Sequence, residues 1–277
     1  MSKVDLSVVG SKTEPRVFEY TWKDVVLYNL GIGASEKDLA FVYENVPGGL
    51  KVLPSFCVVP AMRAFPRLGD NMEWSLMLHG EQRIKLSRPI PPEGRLIQVG
   101  ECTNIFDKGK GAVYHAKITG ETENGDHVYE ARWAIFYLGA GGFGGDPGPK
   151  AEKIDPPGGV TPDFSISEKV AENQAAIYRL SGDLNPLHLD PEAAKRGGFD
   201  KPILHGLCTY GFATRAIVTG PLEGDVTRLK EFKARFSNPV YPGDTLTTAG
   251  WKVDDGYIIQ VKTENGVVLS NAKATID

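Results

Sequence analysis

Apolar and polar residues alternate along most of this chain, in two separate series of runs. Residues 81–88, 95–106, 111–122 and 127–138 form the first series, and 228–238, 245–253, 256–264 and 267–276 the second. Alternation over such lengths predicts half-buried strands. Asn124-Gly125, Asp255-Gly256 and Asn265-Gly266 supply short turns that join antiparallel neighbours. Ahead of each series the period lengthens to that of a helix. Helical regions are predicted over 21–30 and 167–180, the second with Ser167 as its cap and Glu168 in its first turn. Longer apolar helices are predicted over 54–67 and 205–219. A helix followed by a run of antiparallel strands, twice over, is an α+β plan in which each sheet wraps its helix.

The two series resemble each other in detail. Tyr28 and Leu30 recur as Tyr178 and Leu180 at a shift of 150. Ser87, Pro89, Ile90, Pro92 and Leu96 recur as Ser237, Pro239, Val240, Pro242 and Leu246 at the same shift. Cys57 and Arg63-Ala64 find echoes in Cys208 and Arg215-Ala216 after a slip of one or two residues. Two blocks in one register and one order read as an internal duplication. Between the copies, residues 139–162 are crowded with Gly and Pro, a composition that reads as a linker. The expected division is therefore a first repeat over 1–138, a linker over 139–162 and a second repeat over 163–277.

A chain of 277 residues has room for two domains of ordinary size. Its 41% hydrophobic and 24% charged residues are the balance of a soluble globular protein. A net charge of −4, with Lys and Arg scattered, argues against nucleic acid as a partner. Cys57, Cys102 and Cys208 are odd in number and far apart, which fits neither a disulfide framework nor a metal-ligand spacing and points to a reducing compartment. No stretch has the length of a membrane span or the core of a secretory signal. The residues Ala274-Thr275-Ile276-Asp277 are not a Ser-Lys-Leu type address. The expectation is a soluble intracellular protein, cytoplasmic or peroxisomal, with no membrane partner.

Candidate chemistry concentrates in Ser181-Gly182-Asp183-Leu184-Asn185-Pro186-Leu187-His188. Pro186 lacks an N–H and disfavours helical geometry at Asn185, so the segment must turn. A turn can aim Asp183 and His188 at one point, and a carboxylate and an imidazole converging on one water form a general acid/base unit. Taken singly, Asp183 reads as a turn or cap residue and His188 as a core histidine; it is the constellation that points to catalysis. Asn185 either orients the pair or forms an Asx-type turn before Pro186. Leu204-His205-Gly206 falls where the second long helix begins, with unpaired main-chain N–H groups and the positive end of the helix dipole. The Gly206 amide, open to close approach, is a candidate oxyanion hole for a thioester or ester carbonyl. His205 reads as structural, outside the catalytic set. At the repeat shift Asp183 falls opposite Gly33, His188 opposite Asp38, and Gly206 opposite Phe56 or Ser55, so the first copy lacks the pair.

The run from Tyr178 to His188, followed by Gly198-Phe199-Asp200-Lys201-Pro202-Ile203-Leu204-His205-Gly206-Leu207-Cys208-Thr209, resembles the (R)-specific type-2 enoyl-CoA hydratases. These are MaoC-like enzymes related to the hydratase domain of the peroxisomal multifunctional β-oxidation protein. The resemblance extends to Leu78-His79-Gly80-Glu81-Gln82, Lys233-Ala234-Arg235-Phe236 and Pro239-Val240-Tyr241-Pro242-Gly243. It implies a double hot-dog fold and reversible hydration of trans-2-enoyl-CoA to (3R)-3-hydroxyacyl-CoA, without metal or organic cofactor, in a homodimer. It also implies Asp183 and His188 as the catalytic pair, Asn185 as a support and Gly206 N–H as the thioester-oxygen donor. His79, Gly80, Lys108 and Phe236, with Leu184, Pro186 and Leu187 of the central motif, would line the acyl-CoA site. Lys108, otherwise a turn charge, would contact a CoA phosphate. The vacant first repeat would accommodate the acyl chain. Rival readings are a hot-dog thioesterase, a non-catalytic acyl-CoA binding module, and a metal site at Asp183, His188 and His205 whose spacing matches no standard ligand pattern.

Overall fold

The computed structural model describes residues 4–70, 72–73, 76–150 and 152–277. The first half runs β1 (Arg16–Tyr20), α1 (Trp22–Gly31), α2 (Leu39–Val42), α3 (Val58–Arg63), β2 (Met77–Leu86), β3 (Gly94–Asp107), β4 (Gly111–Glu121) and β5 (His127–Leu138). The second runs β6 (Phe164–Lys169), α4 (Gln174–Tyr178), α5 (Pro191–Arg196), α6 (Gly206–Thr219), β7 (Leu229–Phe236), β8 (Thr245–Val253), β9 (Gly256–Thr263) and β10 (Gly266–Ile276).

All ten strands join one antiparallel sheet in the order β1-β3-β4-β5-β2-β7-β10-β9-β8-β6. That order reads the same from either end once each strand is replaced by its repeat counterpart. The seam is the β2·β7 pair, and the residues at its centre, Arg83 and Lys233, are themselves 150 apart. The duplication is thus a structural pseudo-two-fold, the double hot-dog that the resemblance implied. α6 packs on β7 and β8, and α3 on β1, β3 and β4. On α6 every residue from Leu207 to Val218 is buried.

Three expectations need correction. Residues 167–180 are not one helix: the alternation Phe164-Ser165-Ile166-Ser167 has period two, and β6 pairs with β8 there. Ser167 caps nothing; its hydroxyl lies 2.9 Å from that of Thr247 across the pair. Helix resumes only as α4 and a 3-10 turn over Arg179–Ser181. The first central helix is also short. A 3-10 turn over Pro54–Cys57 leads into α3, which stops at Arg63 because Pro66 disfavours helix at Phe65. Only the second half therefore has a long central helix. Finally, β2 begins at Met77 rather than 81, which puts His79 and Gly80 inside a strand.

Among the described residues of 139–162 there is no helix or strand, yet the segment is tied down. The Asp107 carboxylate accepts N–H bonds from Gly142 and Gly144 at 2.8 and 2.9 Å. Further along, Asn271 donates to Glu152 O at 2.9 Å and accepts from Ile154 N–H at 3.0 Å. The halves are also joined inside. Gln174 Nε2 donates to the Leu30 and Gly31 carbonyls at 2.9 and 2.6 Å, satisfying groups that a helix end leaves open.

Candidate active site

The bend from Gly182 to His188 is built by local hydrogen bonds. Gly182 leaves the 3-10 turn at φ 130°, a conformation that side-chain-bearing residues avoid, and this turns Asp183 toward α6. The Asp183 carboxylate accepts the Asn185 N–H at 3.2 Å. Asn185 in turn caps a 3-10 turn over Pro186–His188, its Oδ1 accepting the Leu187 N–H at 3.0 Å. Of the two roles open to Asn185, the Asx-type cap is the one its oxygen performs. Leu184, between the two, is 59% exposed, and Leu187 packs against Gly197.

His188 ends that turn, buried, with Nδ1 2.9 Å from the Ile203 carbonyl. A carbonyl can only accept, so Nδ1 carries the hydrogen and Nε2 keeps its lone pair. Burial lowers the His188 pKa below its ordinary 6.5, against the Ile203 carbonyl and the Asp183 charge, which raise it. The ring is neutral at pH 7 and able to accept a proton.

His205 stacks on His188 with ring centroids 3.8 Å apart, and its Nε2 lies 3.2 Å from the main-chain carbonyl of Asp183. One ring nitrogen from each histidine and one Asp183 carboxylate oxygen lie within 4.8 Å of one another. Two hydrogen bonds from one water span partners about 4.6 Å apart. With separations up to 4.8 Å, the cluster has room for one water bridging its members.

Gly206 opens α6 immediately after His205, and Leu204 N–H is held by the Val240 carbonyl at 2.7 Å. The Gly206 N–H has no protein partner among the described residues. A Cβ on Gly206 would lie 3.2 Å from the Phe236 ring, so the missing side chain lets β7 approach. Phe236 continues the wall to His79, ring centroids 4.6 Å apart. A β-bulge between His79 and Glu81 re-aims β2 at Gly80. His79 bonds through Nε2 to Glu81 O at 3.1 Å, and desolvation brings its pKa down to about 4.

The structure therefore gathers Asp183, His188, Gly206, Phe236, His79 and Gly80 into one wall. Lys108 stands apart. It follows Asp107 at the end of the register row Met77, Tyr137, Ala112, Asp107, three strands or about 14 Å from β2. Its Nζ donates to the Pro147 carbonyl. His205, set aside on sequence grounds, proves to be in contact with both the Asp183 main chain and the His188 ring.

The counterpart position in the first half is different. Gly33, Asp38, Glu168, Phe212 and Arg215 line a cavity of about 500 Å³. It lies toward the far end of α6 from Gly206.

The molecule is a double hot-dog that brings Asp183, His188 and His205 together at the head of its second central helix. Residues 154–274 match the MaoC like domain and residues 18–139 the MFE-2 hydratase 2 N-terminal domain. The chain is 41% identical to a Dictyostelium discoideum protein named probable enoyl-CoA hydratase 2, over 98% of this chain and 95% of that protein. It is 39% identical to the mouse peroxisomal multifunctional enzyme type 2 over 96% of this chain and 38% of that protein. A MaoC-like dehydratase from Phytophthora capsici superposes with a TM-score of 0.89 at 31% identity, over 99% of this chain and 98% of that one. The chain belongs to the MaoC-like enoyl-CoA hydratase 2 family, a family of hydro-lyases.

Proposed function

We propose that the protein catalyses the reversible hydration of trans-2-enoyl-CoA to (3R)-3-hydroxyacyl-CoA in fatty-acid metabolism. The observation that carries this reading is the Asp183 carboxylate within 4.8 Å of a His188 ring nitrogen, beside a Gly206 amide that has no protein partner among the described residues. The double bond of an enoyl thioester is electrophilic at C3. Asp183 accepts one hydrogen of the water and orients it; the His188 Nε2 lone pair takes the other as the water oxygen bonds to C3. The π electrons move through C2 toward the thioester oxygen, which the Gly206 N–H meets at the positive end of α6. The proton on His188 then passes to C2, so that the elements of one water are added. Proton transfer by such a pair contributes about a hundredfold to ten-thousandfold, and one main-chain donor about 3–4 kcal/mol.

The exposed Leu184 and Leu78 flank the dyad and His79 and suit an apolar chain. His79, Gly80, Phe236 and the 183–188 bend form the acyl-thioester wall, and Lys108 takes a CoA phosphate. Residues 163–277 hold the chemistry, 1–138 accommodate the acyl tail, and 139–162 link them. The (3R) product and the homodimer follow the family resemblance. Side chains carry the protons, so the reaction asks for no metal or organic cofactor.

Loss of enoyl absorbance from crotonyl-CoA without release of free thiol tests the reading, with chiral analysis of the product. Asp183→Asn and His188→Gln should each lower kcat by about a hundredfold or more while circular dichroism stays unchanged. Thiol release would instead make the protein a thioesterase, and binding without turnover a carrier. Either would overturn the proposal.

A further inference from the structure

We propose that His205 is the positioning residue of the acid–base centre, a neutral ring that fastens the Asp183 bend to the head of α6. This rests on the hydratase reading above. Asp183 and the Gly206 amide must meet the same substrate, one at C3 and the other at the thioester oxygen. They belong to different elements, separated by α5 and two loops. Two bonds tie the bend to the segment that opens α6: His188 Nδ1 reaches Ile203 O, and His205 Nε2 reaches Asp183 O at 3.2 Å, the second made by the residue next to Gly206. The carbonyl can only accept, so Nε2 donates and the ring's hydrogen is committed to it.

The rest of the ring's surroundings keep it uncharged and still. His205 is 1% exposed, its face lies against His188, and Tyr178 packs at 4.9 Å. Desolvation, with the His188 and Arg179 charges, brings its pKa down to about 2. Nδ1 has no partner among the described residues and carries no hydrogen. A ring in this state has no proton to exchange near neutral pH; what it provides is geometry. It also backs the His188 ring, limiting rotation about the Ile203 bond.

Two amide variants separate this role from a merely structural one. In Gln the amide nitrogen stands three bonds from Cβ, as Nε2 does in histidine; in Asn it stands two bonds away, as Nδ1 does. His205→Gln can reach the Asp183 carbonyl and His205→Asn cannot, although both amides are neutral and polar. With crotonyl-CoA, kcat should stay within about tenfold of wild type for H205Q and fall about a hundredfold for H205N, the cost of roughly 1 Å of misplacement. KM should hold within about threefold for both. The acid limb of the pH–rate profile should keep its position in H205Q. Equal activity in the two variants overturns the proposal, as does an acid limb lost from both, which would make His205 a proton carrier. If H205N fails to fold, a hundredfold loss in folded H205Q alone overturns it. Wild-type protein that does not hydrate enoyl-CoA defeats the parent reading instead, before any variant is compared.

Discussion

Asp38 lies 3.5 Å from the guanidinium of Arg215, in the place that the internal repeat assigns to His188 in the other half. Glu168 closes the group from β6, and Arg215 also donates to the Ile32 carbonyl at 3.2 Å. The same bend that holds an acid and a base in one half holds an ion triad across both halves in the other. Arg215 is 4% exposed, and a charge so enclosed is tolerable only when paired. Burial raises the Glu168 pKa above its ordinary value while Arg215 pulls it down.

Arg215→Met should therefore destabilise the fold by about 3–5 kcal/mol, because it leaves two carboxylates facing each other without their cation. The kcat of the folded fraction should not change, since Arg215 sits more than two turns along α6 from Gly206. Urea unfolding followed by circular dichroism gives the first quantity and crotonyl-CoA turnover below the transition the second.

For His188 to accept a proton it must be neutral, and burial holds its pKa below 6.5. Activity should rise with pH through an acid limb centred below 6.5 and be level through neutrality. Stability shares the sign. His79, His188 and His205 all have folded-state pKa values below their unfolded values, so the unfolded chain binds more protons at acid pH. Their contribution is present above about 6.5. It is lost as pH falls, through about 4 for His79 and about 2 for His205. A limb centred above 6.5, or thermal stability that improves on acidification from 6.5 to 5, would contradict this account.

The parts legible in the sequence are those encoded by neighbours along the chain. β3, β4 and β8 to β10 follow from alternation because both faces of each strand are packed differently. The two strands not predicted, β1 and β6, are the ends of the sheet order, pair on one side only and are short. Asp183 and His188 were legible because one bend of six residues contains both. The His205 bond to Asp183 O spans 22 positions, and no local pattern announces it. Phe236 and His79 come from strands in different halves, so only a family resemblance could pair them with the bend. α3 was overestimated because its apolar run continues past the point where Pro66 stops the backbone.

Asp107 should prove to be the anchor of the Gly/Pro segment. Three glycine N–H groups, from Gly109, Gly142 and Gly144, bond its carboxylate and hold its pKa below the ordinary value. Asp107→Ala removes both acceptor oxygens, and with them all three bonds, and should make residues 139–150 an early site of limited proteolysis, where wild-type protein resists. Protonation should act in the same direction, the bonds weakening as pH falls through the depressed value. Because Lys108 is held to Pro147 in the same segment, the variant should also raise the KM for CoA thioesters, more at low salt than at high.

Gly206 and Phe236 should behave as a coupled pair. Alanine at 206 keeps the N–H but places a methyl group 3.2 Å from two carbons of the Phe236 ring, closer than carbon atoms normally settle. Either the ring moves away or the helix start does, and the amide moves with the latter. Gly206→Ala alone should lower kcat by about tenfold, a fraction of what losing the donor would cost. Phe236→Leu alone loosens the wall and should mainly raise KM. In the double variant the smaller leucine makes room for the methyl group, so the combined loss should be smaller than the sum by about 1 kcal/mol, within the range seen for residues in contact. Strict additivity of the two effects on kcat would mean that the amide does not depend on how β7 meets α6, and would remove Phe236 from the support of the oxyanion site.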